Sequence, residues 1–497
     1  MRKQDFALEV QELLKLYAAH PQVTALDTLL KNDTSRNIFL KGLNGSGPAM
    51  TIASLFTKGR GSYVCVLNDQ EEAGYFYHDL MQLTASNEVY FFPSAYRRAI
   101  KYGHVDPANE ILRTEVLSRL QDPDASFVIV TYPDALAERV VAREVLKENT
   151  LKISVGEKLD NMFVSDVLDE YGFEQVDYVY EPGQYALRGS ILDVFSFSNE
   201  FPYRIDFFGD EVETIRTFDV ETQLSKEKLD SIYIVPEMSK NAKDSTSLLG
   251  SLPRNTCIAA RDLAWCKERI GSVWNDDPVV ADEESFADID QMRKKLVRGE
   301  DFLREVLDFR RIHFGARPMG TADATIHFST QTQPIYHKNF DRVSESFHKY
   351  LDEGYTLYIL SDQEKQANRI RMIFEDRGDN IPFTAVNRTI HEGFADDTLR
   401  ICFFTDHQLF DRFHKFNLKS DKARSGKITL SLKELNQFSQ GDYIVHIDHG
   451  VGQFGGLVRT EVNGKMQEAI KLIYQNNDII FVSIHSLHKL SKYKGKE

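Results

Sequence analysis

Cysteine is scarce in these 497 residues, and the four present, Cys65, Cys257, Cys266 and Cys402, share no CxxC spacing. A disulfide framework or a thiolate metal site needs paired, closely spaced thiols, so both are disfavoured and a reducing cytoplasm is the expected compartment. No apolar run approaches the ~20 residues that cross a bilayer. Residues 1–10 carry charges throughout and lack the apolar core of an export signal, so no membrane partner is expected. Glycine and proline are also few, 28 and 14, against 42% hydrophobic residues. That balance belongs to folded globular domains rather than to fibrous or disordered chains. Cations are outnumbered by anions, with a net charge of −15. Tight non-specific binding to DNA draws its affinity from excess cations, so the chain as a whole is expected to bind DNA weakly or not at all. One local exception runs from Arg412 through Lys415, Lys419, Lys422, Arg424 and Lys427 to Lys433, most simply a solvated linker.

A single core stops growing near ~250 to 300 residues, so about three or four domains are expected. Residues 1–148 alternate short apolar runs (Asn37–Leu40, Tyr63–Leu67, Val89–Phe92, Phe127–Val130) with helix-length segments such as Glu110–Leu120, the pattern of a parallel α/β sheet. Residues 149–236 are closely spaced strands, at Val176–Tyr180, Tyr185–Leu187, Ser190–Phe195, Tyr203–Phe208 and Glu213–Phe218, with tight turns at Pro182-Gly183 and Gly209-Asp210. Residues 237–322 return to a mixed pattern, with a strand at Thr256–Ala260 and a long charged helix around Asp288–Asp308. A small α/β unit fills 323–415, its strands Thr356–Leu360 and Leu399–Thr405 flanking a helix over Gln363–Asp376. The basic stretch 416–438 lacks periodicity and reads as a linker. Residues 439–497 hold about five short strands with glycine-rich turns, which predicts a small β-barrel of SH3 or Tudor type. The fold class is therefore multidomain α/β with a β-rich insert and a C-terminal β-barrel.

Gly42-Leu43-Asn44-Gly45-Ser46-Gly47-Pro48-Ala49 follows a strand and opens a helix, where a phosphate-binding loop would sit. Such a loop needs a lysine for the β- and γ-phosphates and a hydroxyl for Mg²⁺ after its last glycine. Pro48 and Ala49 stand there instead, and proline removes one N–H besides. Gly42, Gly45, Gly47 and Pro48 thus mark a degenerate nucleotide loop. The acidic Asp282-Glu283-Glu284 has no phosphate to serve. His446, His449, His485 and His488 form two His-x-x-His pairs, but residues three apart on a strand point to opposite faces, so packed histidines are expected rather than zinc ligands. No metal site and no catalytic residue is assigned.

Gly183-Gln184-Tyr185-Ala186-Leu187-Arg188-Gly189-Ser190-Ile191-Leu192-Asp193-Val194-Phe195, with Pro202-Tyr203-Arg204-Ile205-Asp206-Phe207-Phe208-Gly209-Asp210 and Arg216-Thr217-Phe218-Asp219, closely resembles the UvrA-binding domain shared by the repair helicase UvrB and the transcription-repair coupling factors. Gly441 to Phe454, with Phe481 to Tyr493, is similar to the RNA-polymerase-interacting domain of the coupling factors, related to the CarD family, which UvrB lacks. Glu392-Gly393-Phe394 and Thr405-Asp406-His407-Gln408-Leu409-Phe410 match the family's third domain, with Asp411 where a glycine is usual. The resemblance implies a UvrB-like α/β domain in two parts (1–148 and 237–322) around a UvrA-binding insert (149–236), and a polymerase-interacting domain at 439–497. It implies a non-catalytic adaptor that recruits UvrA and grips the RNA polymerase β subunit. Two motor domains, with their ATP and Mg²⁺, follow in the family, so the stop at Glu497 suggests a truncation without cofactors of its own.

For UvrA, the resemblance points to Arg188, Arg204, Asp206 and Phe208, with the two arginines forming one basic spot. Phe207 and Phe208 point to opposite faces, so only one can enter the core. For the polymerase it points to Leu457, Val458, Arg459 and Thr460, met as an edge strand or sheet face. The alternatives are a UvrB-like ATP-dependent helicase fragment, which Pro48 disfavours, and a damaged-DNA-binding module. The latter would need an aromatic hairpin between Tyr90 and Glu110, an interval that looks too short.

Overall fold

The computed structural model describes residues 9–493 except 33–34, 60, 96–105, 123, 221–222, 238–244, 276–292, 413, 417, 419–437, 447–448, 463–464, 476–477 and 484–488. The chain forms two compact units, one of residues 1–148 and 238–414, the other of 149–237 and 415–497.

In the first unit the expected α/β pattern becomes a seven-stranded, all-parallel sheet, ordered 324–327, 37–41, 310–313, 257–260, 62–66, 127–131 and 89–91. Its central strands are buried on both faces, which is why they read as unbroken apolar runs rather than alternations. Strands from either side of the β-rich insert interleave, with Cys257–Ala260 and Arg310–His313 lying between Asn37–Lys41 and Ser62–Val66. Ala324–His327, beyond the expected boundary at 322, closes the edge of this same sheet. Of the long helix expected at 288–308, Gly299–Val306 forms and Arg293 and Lys294 are helical, while 288–292 lie outside the described residues. The helix is interrupted between these parts, where Lys295 turns, Leu296 bridges Glu138 and the Val297 N–H donates to the Ala137 carbonyl at 2.8 Å. The acidic 282–284 lies outside the described residues.

The unit's second sheet is mixed and five-stranded, ordered 330–332, 394–396, 401–405, 356–360 and 384–386. Helices Phe340–Asp352 and Glu364–Asp376 cover it through Val343, Phe347, Ile370 and Phe374. Asp411, at the family's usual glycine, has φ +49°. That left-handed backbone explains the glycine preference, and aspartate is among the few other residues that adopt it readily.

The second unit holds the β-rich insert and the C-terminal strands. The insert is a six-stranded sheet ordered 225–229, 211–218, 203–208, 191–194, 184–188 and 174–175, antiparallel except for its last pair. A helix not foreseen from the sequence, Asn161–Glu170, buries Val164 and Leu168 against one face of that sheet. The strand expected at Val176–Tyr180 is absent. Only Glu174–Gln175 pair, and the N–H groups of Tyr180 and Glu181 both donate to the Gln184 side chain at 3.0 Å, closing the segment as a loop. The C-terminal strands form a five-stranded antiparallel sheet ordered 479–483, 465–473, 450–462, 443–446 and 490–492. Among the described residues its edge strands do not pair with each other, so the expected closed barrel is replaced by an open sheet. Among the described residues no helix is long and apolar enough to cross a membrane.

Candidate functional site: two sheet surfaces and a filled loop

Alternation along Tyr203–Phe208 divides its side chains between two faces. Tyr203, Ile205 and Phe207 enter the core, whereas Arg204, Asp206 and Phe208 face outward, Phe208 being 79% exposed. The choice between the two phenylalanines is thus decided for Phe207 inside. An extra residue in the facing strand, Glu213, shifts the register between Asp206 and Phe207, and Gly209 at φ +64° turns the chain directly after Phe208. Phe208 therefore sits at a hairpin tip, beyond the reach of core side chains.

The two arginines do form one cluster, and its centre is a residue that sequence reasoning passed over. Asp193 lies between the buried Leu192 and Val194, on the outward side of Ile191–Val194, and directly opposite Arg204 in the register. Arg204 donates from Nε to Oδ1 at 2.7 Å and from Nη2 to Oδ2 at 2.8 Å, and Arg188 also donates from Nη2 to Oδ2. Covered by both guanidiniums, the Asp193 side chain is only 1% exposed. Arg188 donates further to the Asp177 carbonyl at 2.8 Å and lies 4.9 Å from the Tyr178 ring centre. Arg204 packs on Phe218 at 4.2 Å and reaches the Gln223 amide oxygen at 3.1 Å. Asp206, the third predicted residue, pairs with Arg216 at 2.6 Å and accepts from the Thr214 hydroxyl at 2.7 Å. Arg216 was likewise missed. The register places it opposite both Arg204 and Lys228, so three cations stand in one row across three strands. Strand alternation alone could have marked Asp193 as outward, but nothing in the sequence gives a register.

On the C-terminal sheet, Gly455 and Gly456 face a single partner residue, Lys471, in a bulge with Gly456 at φ +100°. The bulge resets the alternation. Leu457 packs toward the core of Ile444, Phe454, Ile470 and Leu472, Val458 and Thr460 are half-buried, and Arg459 is exposed. The predicted set is therefore contiguous in sequence but split between core and surface. Within the long strand 450–462, Tyr443–His446 pairs with 450–453 and 465–473 pairs along the other side. His446 is buried with its ring 4.7 Å from that of His449, while His485 and His488 lie outside the described residues. No group of three or more His, Cys, Asp or Glu suited to a metal occurs among the described residues.

The degenerate loop is filled by the chain itself. Gly42 at φ +91° lies under the Phe328 carbonyl, which a side chain would strike at 2.2 Å, and Gly45 at φ +54° faces the Gly393 carbonyl. The Ser46 N–H donates to the Glu392 carbonyl at 3.0 Å, the Asn44 N–H to the Thr330 hydroxyl at 2.8 Å, and the Gly47 N–H to the Asn44 carbonyl at 2.9 Å. Amides that would cradle phosphate thus already hold protein acceptors. Asp79 completes the seal, accepting from the Ser46 hydroxyl at 2.5 Å and from the His391 N–H at 2.6 Å. Burial pushes its carboxyl up to about 8.

Beside this seal, histidines pack one on another. The His391 ring stacks on Tyr75 at 3.5 Å, the His414 ring on His407 at 4.2 Å, and His78 meets His414 edge-on at 5.1 Å. His407 donates from Nε2 to the His391 carbonyl at 2.9 Å. Desolvation lowers His78 to about 4, helped by His407, and also lowers His407. At the possible hairpin site, the Asp106 N–H donates to the Ala95 carbonyl at 2.8 Å, drawing its ends together, and 96–105 lie outside the described residues.

Comparison with known proteins matches these surfaces to two families. A model of the UvrB interaction domain matches residues 151–239, and a CarD-like/TRCF RID domain model matches 438–494. The chain is similar to transcription-repair-coupling factors. It is 23% identical to that of Staphylococcus aureus (strain bovine RF122 / ET3-1) over 561 residues, 96% of this chain and 47% of the relative. Against that of Bacillus subtilis (strain 168) it is 23% identical over 537 residues, 92% of this chain and 45% of the relative. The chain spans about half the length of the curated relatives it matches. The resemblance read from the sequence is borne out at both sheets that carried it.

Proposed function

We propose that this chain, as a region of a transcription-repair-coupling factor, is a non-catalytic adaptor of the cytoplasm, joining RNA polymerase stalled on damaged DNA to nucleotide excision repair. UvrA docks on the outward face that carries Arg188, Arg204, Asp206 and Phe208. The polymerase β subunit docks along Leu457, Val458, Arg459 and Thr460, by edge-strand or sheet-face contact. The observation that carries the reading is the pairing of these two surfaces, on separate sheets, with a nucleotide loop closed by its own chain. A filled loop leaves no phosphate cradle, so ATP and Mg²⁺ are assigned to the motor domains of the longer factors. DNA contact by this stretch alone is weak at a net charge of −15.

Capture of purified UvrA and of polymerase β subunit on the immobilised chain, with and without ATP, tests this directly. Binding of both, unchanged by ATP, is expected. Capture of neither, or of UvrA only with ATP, overturns the reading.

A further inference from the structure

We propose that Asp193 is a positioning residue for UvrA recognition, which holds Arg188 as the cation that meets the partner while Arg204 serves as its brace. The inference rests on the reading of this outward face as the UvrA surface, and assigns different tasks to side chains that the sequence treats alike.

The geometry separates the two arginines. Arg204 is 14% exposed, its Nε and Nη2 are both committed to Asp193, and its guanidinium lies on Phe218. Little of it is left to touch another protein. Arg188 is 35% exposed and beside Tyr178, which is itself 54% exposed. Two of its nitrogens are fixed from beneath, one on Asp193 and one on the Asp177 carbonyl. A planar guanidinium fastened along one edge presents its remaining N–H groups in a set direction, and a pre-set donor loses less rotamer freedom on binding than a loose one. The surface so built is one oriented cation with Tyr178 at its side, on the same sheet face as the apolar Phe208. It fits a partner strip that offers carboxylates or carbonyls next to an apolar pocket. Asp193 cannot itself reach the partner, because both guanidiniums cover it.

A residue that acts through Arg188 should have nothing to lose once Arg188 is gone. UvrA is titrated into the full chain as wild type, Asp193→Asn, Arg188→Ala, the double variant and Phe208→Ala, with circular dichroism and thermal melting on each. The asparagine keeps the size but replaces one acceptor oxygen by a donor that faces guanidinium hydrogens. Arg188→Ala should weaken UvrA binding at least tenfold, and Asp193→Asn at least fivefold. In the Arg188→Ala background, Asp193→Asn should cost less than twofold more. Equal losses from Asp193→Asn in both backgrounds would mean that it serves the fold or another contact, and the positioning role falls. Wild-type affinity in both Arg188→Ala and Phe208→Ala would instead remove the UvrA surface itself. If Asp193→Asn does not fold, the same cycle is run with Arg204→Gln, for which the brace role requires the same loss of effect without Arg188.

Discussion

Asp193 and Arg204 face each other across neighbouring antiparallel strands, joined by two hydrogen bonds of 2.7 and 2.8 Å. Without Arg204, Asp193 keeps its bond from Arg188 but loses two charged hydrogen bonds in a buried place. Arg204→Ala should therefore lower the stability of the β-rich insert by ~1 to 3 kcal/mol, short of the cost of a wholly unpaired buried charge. Urea unfolding of wild type and variant checks it, and a loss below ~1 kcal/mol would show the pair to be better solvated than its burial indicates.

Phe208 should behave in the opposite way. At 79% exposure it contributes little to the core, so Phe208→Ala is expected to leave the melting temperature within about 2 °C of wild type. As an apolar anchor it should still weaken UvrA binding by about tenfold or more. A variant that melts early and binds normally would reverse the assignment.

Restoring the missing residues of the nucleotide loop should not restore nucleotide binding. With Pro48→Lys and Ala49→Thr together, the Ser46 N–H still donates to the Glu392 carbonyl and the Glu392 segment still fills the cradle. A fluorescent ATP analogue should show no saturable binding to wild type or to the double variant. Saturable binding by the double variant would show that the plug yields.

The joint between the two sheets of the first unit should respond to pH through groups of opposite sign. His78, held at about 4, and His407, also lowered, are neutral when packed and titrate near 6.5 when exposed. Their stabilisation is complete above pH ~6.5 and is lost as pH falls toward 4. Asp79 has the other sign. Raised to about 8 from 3.8, it favours the packed state at low pH and loses that advantage as pH rises from about 4 to 8. The histidines and Asp79 oppose each other below pH 6.5 and Asp79 acts alone above it, so stability should fall between pH 6.5 and 8 by ~1.4 kcal/mol per unit. Urea midpoints at pH 5.5, 6.5 and 8 measure this. Asp79→Asn should flatten only the limb above 6.5, and an unchanged limb would exclude Asp79 as its source.

Deleting residues 439–497, or changing Arg459→Glu, should abolish capture of polymerase β and leave UvrA capture within twofold, since the two surfaces belong to separate sheets. Equal loss of both partners would contradict the modular arrangement.

Local physics made much of this protein legible from its residues. Runs such as Phe127–Thr131, apolar at nearly every position, announce strands buried on both faces, and the alternation in Tyr203–Phe208 announces a sheet with one wet side. Pro48 and Ala49 stand where a phosphate-binding loop would carry its lysine and hydroxyl, a departure readable from the string alone. What lay outside the sequence depended on partners distant along it. The plugging of Gly45 by Gly393 joins residues more than three hundred positions apart, and the sharing of Asp193 by Arg188 and Arg204 depends on strand register. A helix such as Asn161–Glu170 likewise follows from which faces find cover. Composition and periodicity dictate what a segment can form, whereas register, burial and hydrogen-bond partners arise only when segments compete for one another in three dimensions.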